Sequence, residues 1–411
     1  MPSRLLNAAE ETPALPDPGS LFLDHLRGHA SPFDWRRRMA SGLYYSGALR
    51  LAAEFFKTQG LELSRTRKAI QLRRVHGPKF LILCYHRVGL GGVPLYTQLS
   101  PELFEAQMRH LRKNYRVVSL EVGLRTLRDP QDSEPCVAIT FDDGYRDVYT
   151  HAFPILRRYS IPATVYLIWD SMETGEVSWY DRIFLALQVV PESQFEIDLD
   201  CRHCFELFTP ERRFYSALEI VRHLRAASND RRKEICSEIE RRIPLPQKHL
   251  QEKILTWEQV HAMQSAGVSI GSHTVSHPVV SRLSETEMKN ELEDSKKRLE
   301  KKLTCPVLDF AFPFGHSEDC GSAALGLLDD LGYRSGVTTV SGANTRRSNP
   351  FSLHRVQVDE QHTLAQFALL LNQHLFSSQF GQHEEAPLKG RSLQNASRPT
   401  PAHETSEARD A

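Results

Sequence analysis

The sequence predicts an α/β fold, and three observations carry that reading. Short β-rich runs at 79–86, 135–141, 162–168, 268–273, 307–313 and 334–339 are separated by stretches with helical spacing. Strands alternating with helices imply parallel pairing through helical crossovers, in a barrel or an open sheet. Residues capable of chemistry gather just after several of these runs, where parallel sheets of either kind collect their ligands.

Along the chain, residues 1–34 are proline-containing with little periodicity and read as a mobile leader. Residues 35–78 form a basic extension: between Arg36 and Lys79 eleven Lys/Arg stand against only Glu54 and Glu62. Tyr44, Ala48, Leu51, Ala52 and Phe55 share one helical face. That segment reads either as an amphipathic helix lying on an anionic membrane through residues 36–57, or as a helix packed on the main domain with a solvated basic side. The α/β domain follows over 79–376. Within it, Ser100-Pro101 reads as an N-cap with proline in the first turn, ahead of Phe104, Met108 and Leu111. Ser284 and Glu287 form a capping box ahead of Met288, Leu292, Leu299 and Leu303. Strand signals fade at about 171–250, where Glu/Arg-rich text suggests a helical insertion near the strand tops. Residues 377–411 are polar and read as a disordered tail.

Composition narrows the function. The 411 residues include 51 basic and 51 acidic side chains, which removes the general electrostatic case for a nucleic-acid binder. No run of 18 apolar residues exists, and the start shows no export signal, so a cytoplasmic protein, at most peripheral to a membrane, is expected. Seven scattered cysteines do not make a disulfide framework. Cys201-x-x-Cys204 has no second pair to complete a structural zinc site and reads as incidental thiols.

Three segments carry the chemistry. In Thr140-Phe141-Asp142-Asp143-Gly144-Tyr145, two consecutive aspartates serve one site only if the strand has just ended, with Gly144 supplying the turn. One carboxylate can then ligate a metal while its neighbour takes a proton from a water the metal has acidified. As a surface turn, Asp-Asp-Gly is equally ordinary. In Ser272-His273-Thr274-Val275-Ser276-His277-Pro278, the two histidines are spaced to lie on one side of a helical turn and grip one ion. With Asp143 they make a two-histidine, one-carboxylate set of the kind found in hydrolytic zinc sites. The third, Asp309-Phe310-Ala311-Phe312-Pro313-Phe314-Gly315, offers an aromatic and proline wall for a sugar ring and a main-chain N–H near Phe314 for an oxyanion. His86, ending another strand, is placed as a general acid for a leaving amine or as a structural histidine. Trp179-Tyr180-Asp181 either lines the cleft or opens the inserted helix.

TFDDGY, SHTVSHP and FAFPFG, in this order and each at a strand end, resemble the motifs of the polysaccharide deacetylase (NodB-homology) family of carbohydrate esterases. The resemblance spans roughly residues 79–358. It implies a distorted, incomplete (β/α) barrel and metal-dependent removal of acetyl groups from N-acetylhexosamine units of a polysaccharide or its lipid-linked precursor. It further implies Asp142 as catalytic base, and Asp143, His273 and His277 as ligands of a divalent metal, Zn²⁺ first and Co²⁺ or Ni²⁺ as alternatives. Phe314, with Pro313 and Tyr145, would contact substrate and oxyanion. The sequence departs from the family pattern twice. Ala311 stands where the family has an arginine that orients the base, and Ser352-Leu353-His354 matches the C-terminal acid motif poorly. The YHRV segment resembles the branch acting on poly-N-acetylglucosamine, whose acid histidine comes from the N-terminal side, which favours His86 over His354. Three rivals share these residues: a small-molecule amidase or imidase, a non-haem iron oxygenase, and a non-catalytic sugar-binding relic.

Overall fold

The computed structural model describes residues 79–376 apart from 90–97, 130, 133, 246–252 and 360–361. The expected leader, basic extension with its 36–57 face, and tail lie outside the described residues. In chain order the strands are β1 (Phe80–Tyr85), β2 (Arg87–Val88), β3 (Gln98–Leu99), β4 (Arg116–Val117), β5 (Cys136–Phe141), β6 (Ala163–Leu167), β7 (Gln194–Asp198), β8 (Arg202–Glu206), β9 (Ser269–Ser272), β10 (Asp309–Ala311), β11 (Ser335–Val337) and β12 (Val356–Gln357). All six expected runs are strands of one parallel eight-stranded sheet, ordered β11-β10-β9-β6-β5-β1-β12, with β4 beside the start of β5. The sequence FLILCY of β1 and CVAITF of β5 is buried throughout, as parallel strands covered on both faces require.

The sheet curls until its two edges meet across one short segment. Leu353 bridges Val337 of β11, and three residues later Val356 pairs with Leu83 of β1. The result is a distorted, incomplete barrel. Its lower interior is filled by Phe80, Ile82, Cys136, Ala138, Tyr166 and Val337, packed with Leu120, Leu124 and Leu127 of the helix Leu120–Arg128. Because side chains alternate along a strand, Cys84, His86, Thr140 and Asp142 continue that inner face upward. The hydrophobic floor therefore hands over to a polar rim at the carboxyl ends of the strands.

Both helix-start signals hold. Ser100 Oγ accepts from the Leu103 N–H at 3.2 Å, and Phe104, Met108 and Leu111 are buried. Ser284 and Glu287 cap each other reciprocally at the start of Glu285–Leu303. The insertion differs from the all-helical expectation. Between the helices Trp179–Val189 and Pro210–Ala226 it carries an antiparallel hairpin, β7–β8, paired from Gln194↔Glu206 to Asp198↔Arg202. Phe195, Ile197 and Phe205 are buried in it while their neighbours face solvent, the period-two pattern of a half-buried strand.

Gly271 of β9 lies two residues before His273, and strand packing there leaves no space for a side chain. A Cβ would stand 2.4 Å from the Tyr166 ring and 2.8 Å from the Asp309 carbonyl oxygen. Gly271→Ala is expected to destabilise the fold by roughly 1–3 kcal/mol, as overpacking does, read from denaturant unfolding; an unchanged midpoint would contradict this packing.

Candidate active site

The first aspartate motif turns inward because the strand ends one residue before it. β5 stops at Phe141, and Asp143 (φ 70°) and Gly144 (φ 74°) are left-handed, so both carboxylates are buried at the top of the barrel interior. The two histidines converge by a different route from the expected helical turn. Residues 273–277 form a tight loop in which Thr274 (φ 67°) and His277 (φ 55°) are left-handed. Glu291, from the helix Glu285–Leu303, accepts from the Val275 and Ser276 N–H groups at 2.8 and 3.0 Å and from the Ser276 hydroxyl at 2.6 Å. The loop's backbone is thus satisfied by a carboxylate instead of by helical bonds.

This brings three ligand atoms together. His273 Nε2 and His277 Nε2 stand 3.4 and 3.5 Å from Asp143 Oδ1. A tetrahedral ion with bonds of about 2.1 Å spaces its ligand atoms about 3.4 Å apart, so the set has the dimensions of a divalent-metal site. Asp143 Oδ1 is buried and has no hydrogen-bond partner, a costly state for an anionic oxygen unless a cation meets it. His273 Nδ1–H donates to the Ala311 carbonyl oxygen at 2.7 Å, which fixes the ring and turns the Nε2 lone pair toward Asp143. For His277, burial and the neighbouring His273 pull the pKa down to about 3, so its imidazole is neutral and able to ligate. The residues present fit a divalent ion.

Asp142 is held apart from this set by an interaction the sequence reading missed. Arg355, fully buried, donates from Nη1 to Asp142 Oδ1 at 2.7 Å and from Nη2 to Oδ2 at 2.6 Å, while its Nε–H donates to the Thr338 carbonyl oxygen at 2.8 Å. Burial alone would raise the Asp142 pKa; the Arg355 guanidinium overrides it and holds the carboxyl well below the usual range. Arg355 follows Leu353 by two residues in the seam and so shares its inward face. It supplies the guanidinium that Ala311 cannot, and Ala311 contributes only its carbonyl.

A cavity of about 630 Å³, within the usual range for ligand sites, opens over these groups. It is lined by His86, Asp142, Asp143, His273, His277 and Phe314 on one side and by Gln357, His362 and Leu370 on another. Phe314 (φ 57°) packs its ring against His277 at 5.0 Å and under the Arg225 guanidinium at 4.5 Å. Trp179 opens the inserted helix, as expected, and also backs the site: its Nε1–H donates to the His277 carbonyl oxygen at 2.9 Å. Tyr145 and Pro313 do not line the cavity. Pro313 is buried, and Tyr145 lies behind the wall, its hydroxyl donating to Asp181 Oδ2 at 2.7 Å. His354 also lies away from the cavity, its ring beside Gly342. His362, which sequence reasoning passed over, pairs through Nδ1 with Asp359 Oδ1 at 2.8 Å. Its only sequence signal is an Asp three residues ahead, which many surface histidines have.

Replacing Arg355 by Met is expected to strand the buried Asp142 charge and cost roughly 3–5 kcal/mol in denaturant unfolding. The double variant Asp142→Asn, Arg355→Met removes that charge and should recover most of the loss; no recovery would disprove the pairing. A second expectation concerns Asp181, whose pKa burial raises to about 7, against the lowering effect of Tyr145. The folded chain then holds a proton that the unfolded chain, with a carboxyl near about 3.9, has released. This contribution is full below about pH 4 and is lost as pH rises through about 7. Asp181→Asn should flatten that decline in stability-versus-pH curves.

The polysaccharide deacetylase family model matches residues 129–336, just over half of the chain, a span that includes Asp142, Asp143, His273, His277 and Phe314. A Bacillus subtilis protein named as a polysaccharide deacetylase, YxkH, is 27% identical over 283 residues, covering 68% of this chain and 71% of its own. Among solved structures, a Streptococcus pyogenes deacetylase in complex with acetate aligns with TM-score 0.49 and 22% identity, over 73% of this chain and 99% of that one. IcaB from Ammonifex degensii aligns with TM-score 0.47 and 19% identity, over 72% and 98%. By the family match, this chain belongs to the polysaccharide deacetylases, hydrolases acting on carbon–nitrogen bonds.

Proposed function

We propose that this chain is a metal-dependent deacetylase that hydrolyses N-acetyl groups of N-acetylhexosamine units in a polysaccharide or its lipid-linked precursor. The observation that carries the reading is the pair of adjacent carboxylates in opposite states: Asp143 facing two imidazoles with an unpartnered oxygen, and Asp142 locked to a guanidinium. A divalent ion held by Asp143, His273 and His277, most readily Zn²⁺, would supply a Lewis acid and a water whose pKa lies near about 7.

The chain's own residues account for the remaining steps. Asp142, ionised and oriented by Arg355, accepts a proton as water attacks the acetamide carbonyl carbon. The backbone N–H of Phe314 donates to the carbonyl oxygen as negative charge builds there. The C–N bond then breaks, and an imidazole in the cleft wall protonates the departing amine, leaving acetate. His86 is favoured for that proton by its place beside Asp142 at the barrel rim. A second assignment, His362, is supported by its Asp359 partner, since a carboxylate on Nδ1 stabilises the imidazolium that must give up the proton. Arg355 weakens the reading of the chain as a non-catalytic relic, because the absence of a guanidinium near the base was its motive.

Among the described residues no helix is long and apolar enough to cross a membrane. We further propose that residues 36–57, basic in composition, contact an anionic membrane surface, the alternative being a helix packed on the main domain.

Acetate release from N-acetylglucosamine oligomers by protein reconstituted with Zn²⁺, Co²⁺ or Ni²⁺ tests the function, and silence with all three metals refutes it. Asp142→Asn should keep the metal and lose about 10²–10⁴ in rate; Asp143→Ala should lose metal and rate together. Of His86→Ala and His362→Ala, the variant that abolishes the alkaline limb of the kcat profile identifies the acid.

A further inference from the structure

The insertion places a second set of metal-ligating side chains together, outside the catalytic cavity. The turn of the β7–β8 hairpin carries Asp200 and Cys201, strand β8 carries His203, and His223 comes from the last turn of the helix Pro210–Ala226. Asp200 Oδ1 lies 2.9 Å from His203 Nε2, and Cys201 Sγ lies 3.5 Å from the same nitrogen. The His203 and His223 rings meet edge to face at 4.9 Å. One ligand atom from each of Asp200, His203 and His223 falls within 4.8 Å of the others. Asp200 and His223 also border a surface cavity of about 190 Å³ whose remaining wall includes Leu199, Leu224 and Ile235, so the cluster is open to an entering ion.

We propose that Asp200, His203 and His223 bind a second divalent cation of the zinc class, with Cys201 Sγ, 3.5 Å from His203 Nε2, drawn in as a fourth ligand when the ion is bound. Imidazole and carboxylate joined by a sulfur ligand favour a borderline metal over Mg²⁺ or Ca²⁺. Strand alternation explains why Cys201-x-x-Cys204 is uninformative as a sequence pair. His203 and Phe205 face inward while Cys204 faces solvent, so Cys204 drops out and His223, twenty residues from His203, takes its place. The cation would clamp the hairpin tip to the end of the helix Pro210–Ala226. Two residues beyond His223, Arg225 reaches over Phe314 in the catalytic cavity and pairs with Asp319 at 2.9 Å. Occupancy of this site would therefore steady one wall of the cleft from outside. Charge near the cluster is mixed: Asp198 adds a carboxylate, and Arg231 of the neighbouring helix binds that residue's carbonyl and the Leu199 carbonyl. The inference does not depend on the proposed reaction.

Metal content and cobalt spectra of the full chain test it. After dialysis, wild type should retain about two equivalents of zinc, and the His203→Ala, His223→Ala double variant about one. On Co²⁺ substitution a thiolate-to-cobalt charge-transfer band should appear, vanish in Cys201→Ser, and survive in His273→Ala, because the catalytic set has no sulfur. Retention of a single equivalent by wild type, or a cobalt–thiolate band that persists in Cys201→Ser, overturns the proposal.

Discussion

The buried pair of Arg355 and Asp142 is the constraint on which the upper half of the barrel depends. Transferring two ions into a protein interior costs several kcal/mol each, and the cost is met only when every donor and acceptor is placed. Here the guanidinium fork takes both carboxylate oxygens, and its remaining edge takes the Thr338 carbonyl. The Cys84 thiol adds a weaker contact to Asp142 Oδ2 at 3.6 Å. The same bonds that keep the carboxylate ionised also join the closing segment to the end of β5.

The neighbouring cluster of Asp143, His273 and His277 is built on backbone that resists its own geometry. Of six non-glycine residues with left-handed φ among the described residues, four are Asp143, Thr274, His277 and Phe314. Each such position costs of order 1–3 kcal/mol and persists only where surrounding structure over-determines it. Glu291 beneath the histidine loop, the Ala311 carbonyl behind His273 and the Trp179 indole on the His277 carbonyl provide that support. Trp179 belongs to the insertion, so the insertion stabilises the centre and does more than cover it.

How much of this was legible in the sequence follows from what each feature depends on. Of the six expected strands, β1, β5 and β6 were the most legible, because burial on both faces leaves an unbroken apolar run, and Asp142, Asp143, His273 and His277 were legible because each pair is local in sequence. The two-residue strands β2, β3, β4 and β12 have no pattern to detect. The β7–β8 hairpin was legible in principle, since Phe195, Ile197 and Phe205 alternate, but the charged residues between them hid the period. Arg355 was not legible at all: its partner lies 213 residues away, and a single arginine inside SLHRVQV has no local mark of burial. Nor could sequence tell that Tyr145 faces Asp181 and not the cavity.

The seam has a temporal consequence. Chains emerge from the ribosome amino end first, and domains tend to consolidate in that order. A nascent chain exposed only as far as β11 already contains Asp143, His273 and His277, yet it lacks the guanidinium that keeps Asp142 charged in an apolar interior. Until the residues after His354 are translated and docked, burial favours the protonated form of the Asp142 carboxyl, so its ionisation waits for the closing segment.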